Sequence, residues 1–265
     1  MAIQFIESVK AIEKKYSTGE EPVLVMCSDM NAYVCKYMRS SATAFKLACE
    51  LIGTQMAQTW KLNTPGTALV KIKQEHWTGF LMQHNVSAPV IGSKWLNSVL
   101  DITPSTMGLI EQSERTFQQL LEIALFDFWI ANEDRNANNA NLLYDIERSR
   151  FVPIDYGCIL NTATFEYPMS QLTSTDTILW SDLFQHISHD IRQTNLINTI
   201  EKLKATYKAN VKNCVREIKN VVDVLPLQWK VPSDVIVSKL HQLFDKNWIS
   251  EVWDNFVECL KENMK

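Results

Sequence analysis

Two acidic residues and an asparagine between them are the side chains of this sequence best suited to chemistry on a phosphate group. Asp134 lies in a polar loop, Asn139 follows five residues later, and Asp155 ends a short apolar run. Mg²⁺ keeps several of its waters, so one amide oxygen and one carboxylate suffice to hold it together with phosphate oxygens. Asp134 is then free to orient or deprotonate an acceptor hydroxyl. This set of side chains indicates phosphoryl transfer.

A hairpin is expected to bring these three side chains together. The runs NLLYD and FVPID are joined by a charged turn, a pattern typical of two paired strands. If Asp145 pairs with Phe151, Asn141 faces Asp155, and Asn139 lies roughly 7 Å farther along. Alternatively, the loop rich in Asn and Asp is only a turn, since these side chains bend and cap backbones. The glycine that permits a sharp turn two residues after Asp155 favours the functional interpretation.

The elements upstream of this loop are predicted to form a small sheet with one helix. Two β-rich runs flank four turn-prone residues and predict a hairpin over 22–38. Apolar residues spaced by three and four predict a helix over Ser41–Trp60. Further strands are predicted at 67–73 and 88–91. Residues 1–17 mix charged and spaced apolar residues and are predicted to form an amphipathic helix.

After Gly92 the pattern changes to helices, the clearest over 112–130, and from Thr177 onward only helical periodicity is found. The fold class is therefore predicted as α+β and bilobal. Its first lobe, residues 1–92, holds a small β-sheet with one helix, and its second lobe, 93–265, is mostly helical. The lobes are expected to meet near Gly92, because no flexible linker or internal repeat is visible.

Composition and net charge favour some classes of function over others. The formal net charge is -4, which gives the molecule as a whole no electrostatic reason to bind nucleic acid or membranes. No apolar run approaches the length of a membrane span, and the N-terminus lacks a signal-peptide core, so a cytoplasmic protein is expected. The six cysteines form no C-x-x-C pair and are expected to be reduced and buried. His186 and His189 have no third ligand at a zinc-site spacing.

The segments around the two acidic residues resemble the HipA-like kinases, particularly their short single-domain branch, which carry F-D-x-W-x-x-N-x-D-R, then N-x-N-L-L, then I-D-x-G. The matching positions are Phe126, Asp127, Trp129, Asn132, Asp134, Arg135, Asn139, Asn141, Leu142, Leu143, Ile154, Asp155 and Gly157. The resemblance implies a protein-kinase-like fold that uses ATP and Mg²⁺. It further implies that Asp134 is the catalytic base and that Asn139 and Asp155 are the magnesium ligands.

A weaker resemblance covers the first lobe. Lys36, in Y-V-C-K-Y, is similar to the strand lysine that contacts the α- and β-phosphates of ATP, and Glu50 is similar to its partner on the helix. Taken alone, Lys36 could be a solvated strand residue and Glu50 a surface residue of the helix. The three residues downstream favour the functional interpretation of both.

The loop expected to cover the phosphates is poor in glycine. The stretch YSTGEEP holds only Gly19, and its Glu20 and Glu21 would repel phosphate unless they turn away. Members of the family phosphorylate a serine in this loop, and Ser17 or Thr18 occupies the similar place. The resemblance therefore assigns Ser17, Thr18 and Gly19 to nucleotide binding. It also suggests that autophosphorylation adds charge there and ejects the loop.

Three functions remain open on the sequence. The first is a Ser/Thr protein kinase, toxin-like or regulatory, acting on an unknown protein substrate; the resemblance also suggests a small antitoxin-like partner. The second is a kinase for a lipid or small molecule, and the third is a nucleotide-binding pseudokinase that serves as an interaction module. A basic row on a predicted helix is either solvated or binds an acidic protein, an anionic lipid or RNA. The row consists of Lys204, Lys208, Lys212 and Arg216.

Overall fold

A six-stranded sheet forms the N-terminal part of the computed structural model, which describes residues 3–77, 79, 87–162, 168–191 and 193–264. The strand order is β1-β5-β6-β4-β3-β2, and every neighbouring pair is antiparallel except β1 and β5, which are parallel. The strands are β1 (Gln4–Glu7), β2 (Lys14–Lys15), β3 (Val23–Met26), β4 (Ala32–Lys36), β5 (Thr67–Lys71) and β6 (Val90–Lys94). The hairpin and strands predicted for this region are confirmed.

The predicted N-terminal helix is wrong, because residues 4–7 and 14–15 are the two edge strands of this sheet. β1 pairs with β5 in a register that sets Ile6 opposite Val70. Ile6 and Ile12 pack against the buried cluster on one face of the sheet. The apolar residues of this segment therefore gain their burial from a partner strand distant in the sequence.

Helix α1 (Ser41–Trp60) has the bounds that the sequence predicted. The Ser40 side chain accepts a hydrogen bond from the Thr43 backbone N–H, and the Thr43 side chain reciprocates, so both satisfy backbone donors at the helix start. The buried residues of α1 belong to the larger core, which they share with one face of the sheet and with the C-terminal helices. The helix therefore connects the two parts of the molecule.

A second sheet begins the C-terminal part, with the antiparallel order β7 (Val99–Asp101), β8 (Leu142–Asp145) and β9 (Arg150–Pro153). The chain passes from the first sheet to the second across residues 95–98. Gly92 lies inside β6, where a Cβ atom would stand 2.9 Å from Val70 and 3.1 Å from Tyr33. This glycine serves close packing within the sheet, and a lobe boundary near it stays a prediction.

The C-terminal part is mostly helical, as predicted, but β7 was not predicted, and residues 154–162 and 168–173 form no helix. The helices are α2 (Glu114–Ile130), α3 (Asp182–Ser188), α4 (Gln193–Val222), α5 (Ser233–Leu243) and α6 (Lys246–Asn263), with short 3-10 turns between them. The C-terminal half of α2 is buried on nearly all sides. The four basic residues of the predicted row are exposed on α4. All six cysteines are free, and five of them are buried.

Within the described residues, no helix combines the length and apolar character needed to cross a membrane.

Candidate active site

The ammonium group of Lys36 is the centre of the site. Its Nζ lies 2.6 Å from Asp155 Oδ1, 2.9 Å from Glu50 Oε2 and 3.0 Å from Glu20 Oε2. Alternation along β4 explains the orientation of Lys36, because Tyr33 and Cys35 face the smaller core and the next side chain must point toward α1. Lys36 and Asp155 meet here although they lie 119 positions apart in the chain.

Burial and charge oppose each other at this cluster. Burial alone would lower the pKa of Lys36, but the charges of Asp155, Glu50 and Glu20 outweigh it and hold that pKa well above its ordinary value. Burial would also raise the pKa of Asp155, but the neighbouring Lys36 charge holds it below its ordinary value. For Glu50 burial prevails over Lys36 and raises the pKa to about 7. The lysine and Asp155 are therefore ionised at neutral pH.

The loop that follows β9 positions Asp155 against α1. Glu50 Oε2 accepts the Tyr156 backbone N–H at 2.9 Å as well as Lys36, so one carboxylate fixes both the lysine and the loop. Gly53, one helical turn after Glu50, leaves room for this approach, because a Cβ atom there would lie 2.4 Å from the Tyr156 Cβ. The close contact of α1 with this loop therefore depends on a glycine.

The sharp backbone turn lies at Asp155 itself, with a φ of 60°, and not at Gly157, as the sequence suggested. None of the described glycines has a positive φ. A Cβ atom on Gly157 would stand 3.5 Å from Asp155 Oδ1, 3.7 Å from Glu20 Oε1 and 3.8 Å from Glu50 Oε2. The absence of a side chain at Gly157 therefore keeps open a space that three carboxylates border.

The loop that carries Asp134 is tied to the Asp155 loop through the backbone. The Glu133 N–H donates to the Cys158 carbonyl at 3.2 Å, and the Leu160 N–H donates to the Ile130 carbonyl at 2.9 Å. Asp134 is half-buried, and its Oδ2 accepts a hydrogen bond from Asn141 Nδ2 at 3.0 Å. Asp134 and Asp155 thus lie on two loops held side by side.

Asn139 lies on an exposed turn, where its backbone exchanges hydrogen bonds with Asn136. Across the described part of the chain, no hydrogen bond involves the Asn139 side chain. Asn141 is half-buried and stands directly before β8. Of the two asparagines, the structure therefore places Asn141 beside Asp134.

The predicted hairpin register is wrong by one residue. Asp145 pairs with Arg150, not with Phe151, and Ile154 rather than Asp155 bonds the Asn141 carbonyl, through its N–H at 3.0 Å. The observed register sets Tyr144 opposite Phe151, and both side chains are buried with ring centroids 5.4 Å apart. Burial of this aromatic pair specifies the register, because a slip by one residue would turn one ring outward.

A fully buried ion pair braces the two loops from behind. Arg135 Nε donates to Asp127 Oδ2 at 2.8 Å, and Asn132 Nδ2 donates to the other oxygen of Asp127 at 2.8 Å. Arg135 Nη1 donates to the Asn141 carbonyl and, at 3.1 Å, to the Ile154 carbonyl. Burial raises the pKa of Asp127 to about 6 against the opposing charge of Arg135. One guanidinium thus joins α2, the Asp134 loop and the end of β9.

The residues of the loop 16–22 differ in exposure. Ser17, Thr18 and Gly19 are exposed, and the Gly19 carbonyl accepts Arg39 Nη1 at 3.1 Å. Glu20 instead turns inward to Lys36. Sequence reasoning noted Glu20 only as a residue that would repel phosphate. Its contact with Lys36 depends on the loop's path and has no local signal.

In the described ranges, no group of three or more His, Cys, Asp or Glu side chains could hold a metal ion by itself. A cation here would therefore need amide and phosphate oxygens in addition to carboxylates, as Mg²⁺ does in nucleotide sites.

A lysine on a small sheet, paired with a glutamate on one helix and facing an aspartate after a hairpin, is the arrangement of the protein-kinase-like fold. The structure of a Helicobacter pylori proinflammatory kinase, CtkA, matches 96% of this chain and 99% of its own with a TM-score of 0.56 at 12% identity. The chain belongs to the HipA-like kinase family, whose profile matches residues 9–256.

Further comparisons are more distant. The Golgi casein kinase structure matches 99% of this chain and 74% of its own with a TM-score of 0.48 at 10% identity. The same kinase with Mn/ADP bound matches over the same shares of both chains, with a TM-score of 0.48 at 11% identity. No curated protein matches the chain.

Proposed function

We propose that this chain transfers the terminal phosphate of ATP, with Mg²⁺, to a serine or threonine of a protein. The observation that carries the proposal is the network in which Lys36 meets Glu50 and Asp155. Buried charges are costly unless paired, and a cluster of ionisable groups with strongly shifted pKa values marks a candidate functional site. Membership of the HipA-like kinase family supports the same activity.

The residues present fit a bound nucleotide and its cation. Gly157 leaves space beside the three carboxylates, and Asp155 and Asn141 offer hard oxygen ligands on adjacent segments. When bound, Mg²⁺ neutralises charge on the phosphates of ATP. We assign the second protein ligand to Asn141 rather than Asn139, because Asn141 stands next to both loops while Asn139 lies on an exposed turn.

The remaining side chains of the site would bind the phosphates and orient the acceptor hydroxyl. Lys36 would bind phosphate oxygens, with Glu50 fixing its position. Asp134 would accept the proton of the acceptor hydroxyl, and the amide of Asn141 holds the Asp134 carboxylate in place through Oδ2. Because the other Asp134 oxygen accepts no described hydrogen bond, it is suited to receive that proton.

Calorimetry and phosphate transfer test these roles together. D155A should lose Mg-ATP binding, while D134A should bind Mg-ATP like wild type and lose transfer of labelled phosphate. Transfer to a peptide library with Ser, Thr or Tyr as sole acceptor identifies the acceptor class. Binding without transfer to any peptide, and without added phosphate at Ser17 or Thr18 by intact mass, would contradict the protein-kinase proposal.

A lipid kinase is the second candidate, favoured by the exposed basic row on α4. Four cations within about three helical turns would attract an anionic lipid surface. Co-sedimentation with vesicles containing phosphatidylinositol lipids, followed by analysis of labelled lipid, separates this candidate from the first. The protein-kinase proposal expects labelled peptide and no labelled lipid.

A further inference from the structure

The ammonium group of Lys36 donates hydrogen bonds to Asp155 and Glu50 and forms an ion pair with Glu20. An ammonium carries three N–H donors, and Asp155, Glu50 and Glu20 each place a carboxylate oxygen within 3.0 Å of Nζ. A phosphate oxygen that binds Lys36 must therefore use the remaining N–H and compete there with the Glu20 carboxylate, 3.0 Å from Nζ.

Two of the three carboxylates are held by other contacts. The Glu50 side chain is only 4% exposed and also accepts the Tyr156 backbone N–H. Asp155 accepts the Gly157 backbone N–H at 3.4 Å within its own turn. Glu20 is 32% exposed, close to the 33% of Asp155, but its carboxylate accepts no hydrogen bond from the described residues and makes one ion pair among them, with Lys36. Glu20 is the carboxylate that can leave at the lowest cost.

We infer, on the basis of the proposed function, that the Glu20 carboxylate competes with the nucleotide phosphates for Lys36 and thereby lowers the affinity of the site for phosphate. Its carboxylate satisfies Lys36 in the place of a phosphate oxygen. Its Oε1 also borders the space over Gly157, at 3.7 Å from a Cβ position there. Nucleotide binding then requires Glu20 to turn away from Lys36.

The neighbours of Glu20 hold the loop in this inward position. The Tyr16 N–H donates to the Pro22 carbonyl at 2.9 Å, the Glu21 N–H donates to the Thr18 carbonyl at 2.9 Å, and the Arg39 side chain donates to the Gly19 carbonyl. These contacts fix the backbone on both sides of Glu20. The loop backbone therefore keeps Glu20 within reach of Lys36.

The charge of the cluster opposes the binding of phosphate. Three carboxylates and one ammonium leave a net negative charge that repels a polyphosphate. Removing the Glu20 charge should strengthen the binding of Mg-ATP about tenfold, which corresponds to about 1.4 kcal/mol. It should strengthen the binding of Mg-tripolyphosphate to the same degree, because the effect acts on phosphate and not on the nucleoside.

The test is calorimetric titration of wild type, E20Q, E20A and E21Q with Mg-ATP and with Mg-tripolyphosphate at constant ionic strength. E21Q is the matched control, since Glu21 has the same charge on the same loop and pairs with Lys15 and Arg39 instead of Lys36. Both Glu20 variants should bind both probes about tenfold more tightly. E21Q should stay within about twofold of wild type.

Unchanged or weaker binding by E20Q and E20A, with wild type still binding Mg-ATP, overturns the inference and leaves the proposed function standing. An equal gain in E21Q also overturns it, because loop charge in general would then be the cause. If neither wild type nor the Glu20 variants bind either probe, the proposed function and this inference fail together.

Discussion

The buried pair of Arg135 and Asp127 should respond to mutation with a pH dependence of definite sign. The Arg135 side chain is 0% exposed and that of Asp127 is 3% exposed. R135M removes the guanidinium while keeping an apolar side chain of similar length. Breaking a buried pair by removing one partner costs about 3–5 kcal/mol. The carbonyls of Asn141 and Ile154 also lose their donor, so a loss at the upper end of this range is expected.

The loss should grow as pH rises. In the wild type, burial already raises the pKa of Asp127 to about 6, and without Arg135 that pKa must rise further. The unfolded carboxyl has an ordinary pKa of about 3.9. Between the two values the folded state holds one more proton, so its stability falls by up to about 1.4 kcal/mol per pH unit as pH increases. In R135M this window extends above pH 6.

Urea unfolding at pH 6 and pH 8 measures the effect as the difference between wild type and R135M, in which other titrating groups largely cancel. The difference should widen by more than about 1 kcal/mol between the two pH values. The double variant D127N/R135M has no carboxyl to protonate, so its difference from wild type should not widen and should change by less than about 0.5 kcal/mol, the wild-type Asp127 contribution. A loss below about 1 kcal/mol at pH 8, or one equal at both pH values, would refute this reasoning.

Three further predictions concern activity. N141A should lower phosphate transfer by at least about a hundredfold. The matched variant N139A, on the exposed turn, should stay within about threefold of wild type. The reverse order would assign the metal-ligand role to Asn139. Burial raises the pKa of Glu50 to about 7, and protonation of Glu50 removes the charge that holds Lys36. Phosphate transfer should therefore fall as pH drops below about 7. If E50Q shows the same fall in activity at low pH, Glu50 is not its cause. G157A should keep the thermal midpoint of unfolding, since its new methyl group makes only ordinary contacts, but it should weaken Mg-ATP binding by filling the space beside the carboxylates. The control G108A has open space around the new methyl group and should change neither quantity. Tight Mg-ATP binding by G157A would show that the phosphates lie elsewhere.

Elements whose signals are local could be predicted from the sequence. The bounds of α1 follow from the Ser40 and Thr43 cap and from an apolar face repeated every three or four residues. The N-terminal strands could not be predicted in this way. β1 pairs with β5, setting Gln4 opposite Ala68, and such long-range pairing leaves no periodic signal in a four-residue strand.

The ion network of the site was reached by resemblance, whereas its additional carboxylate required the structure. Lys36 and Glu50 could each have been surface residues on their own patterns, and only the folded chain brings them to Asp155. Glu20 depends on the path of the loop, which is held by its own backbone hydrogen bonds and by the contact of Arg39 with the Gly19 carbonyl. The pairing of Glu20 with Lys36 then arises across the fold, which spacing along the chain does not encode.

The choice of asparagine shows how packing outside a site decides its chemistry. The spacing from Asp134 favours Asn139, since the kinase motif separates base and metal ligand by five residues. The burial of Tyr144 against Phe151 fixes where β8 begins, however, and β8 begins directly after Asn141. Asn139 is thereby left on the turn before the strand. Asn141 lies two residues farther from Asp134 than the kinase motif places its metal ligand. Because the sheet holds Asn141 beside Asp134, we assign the metal-ligand role to Asn141.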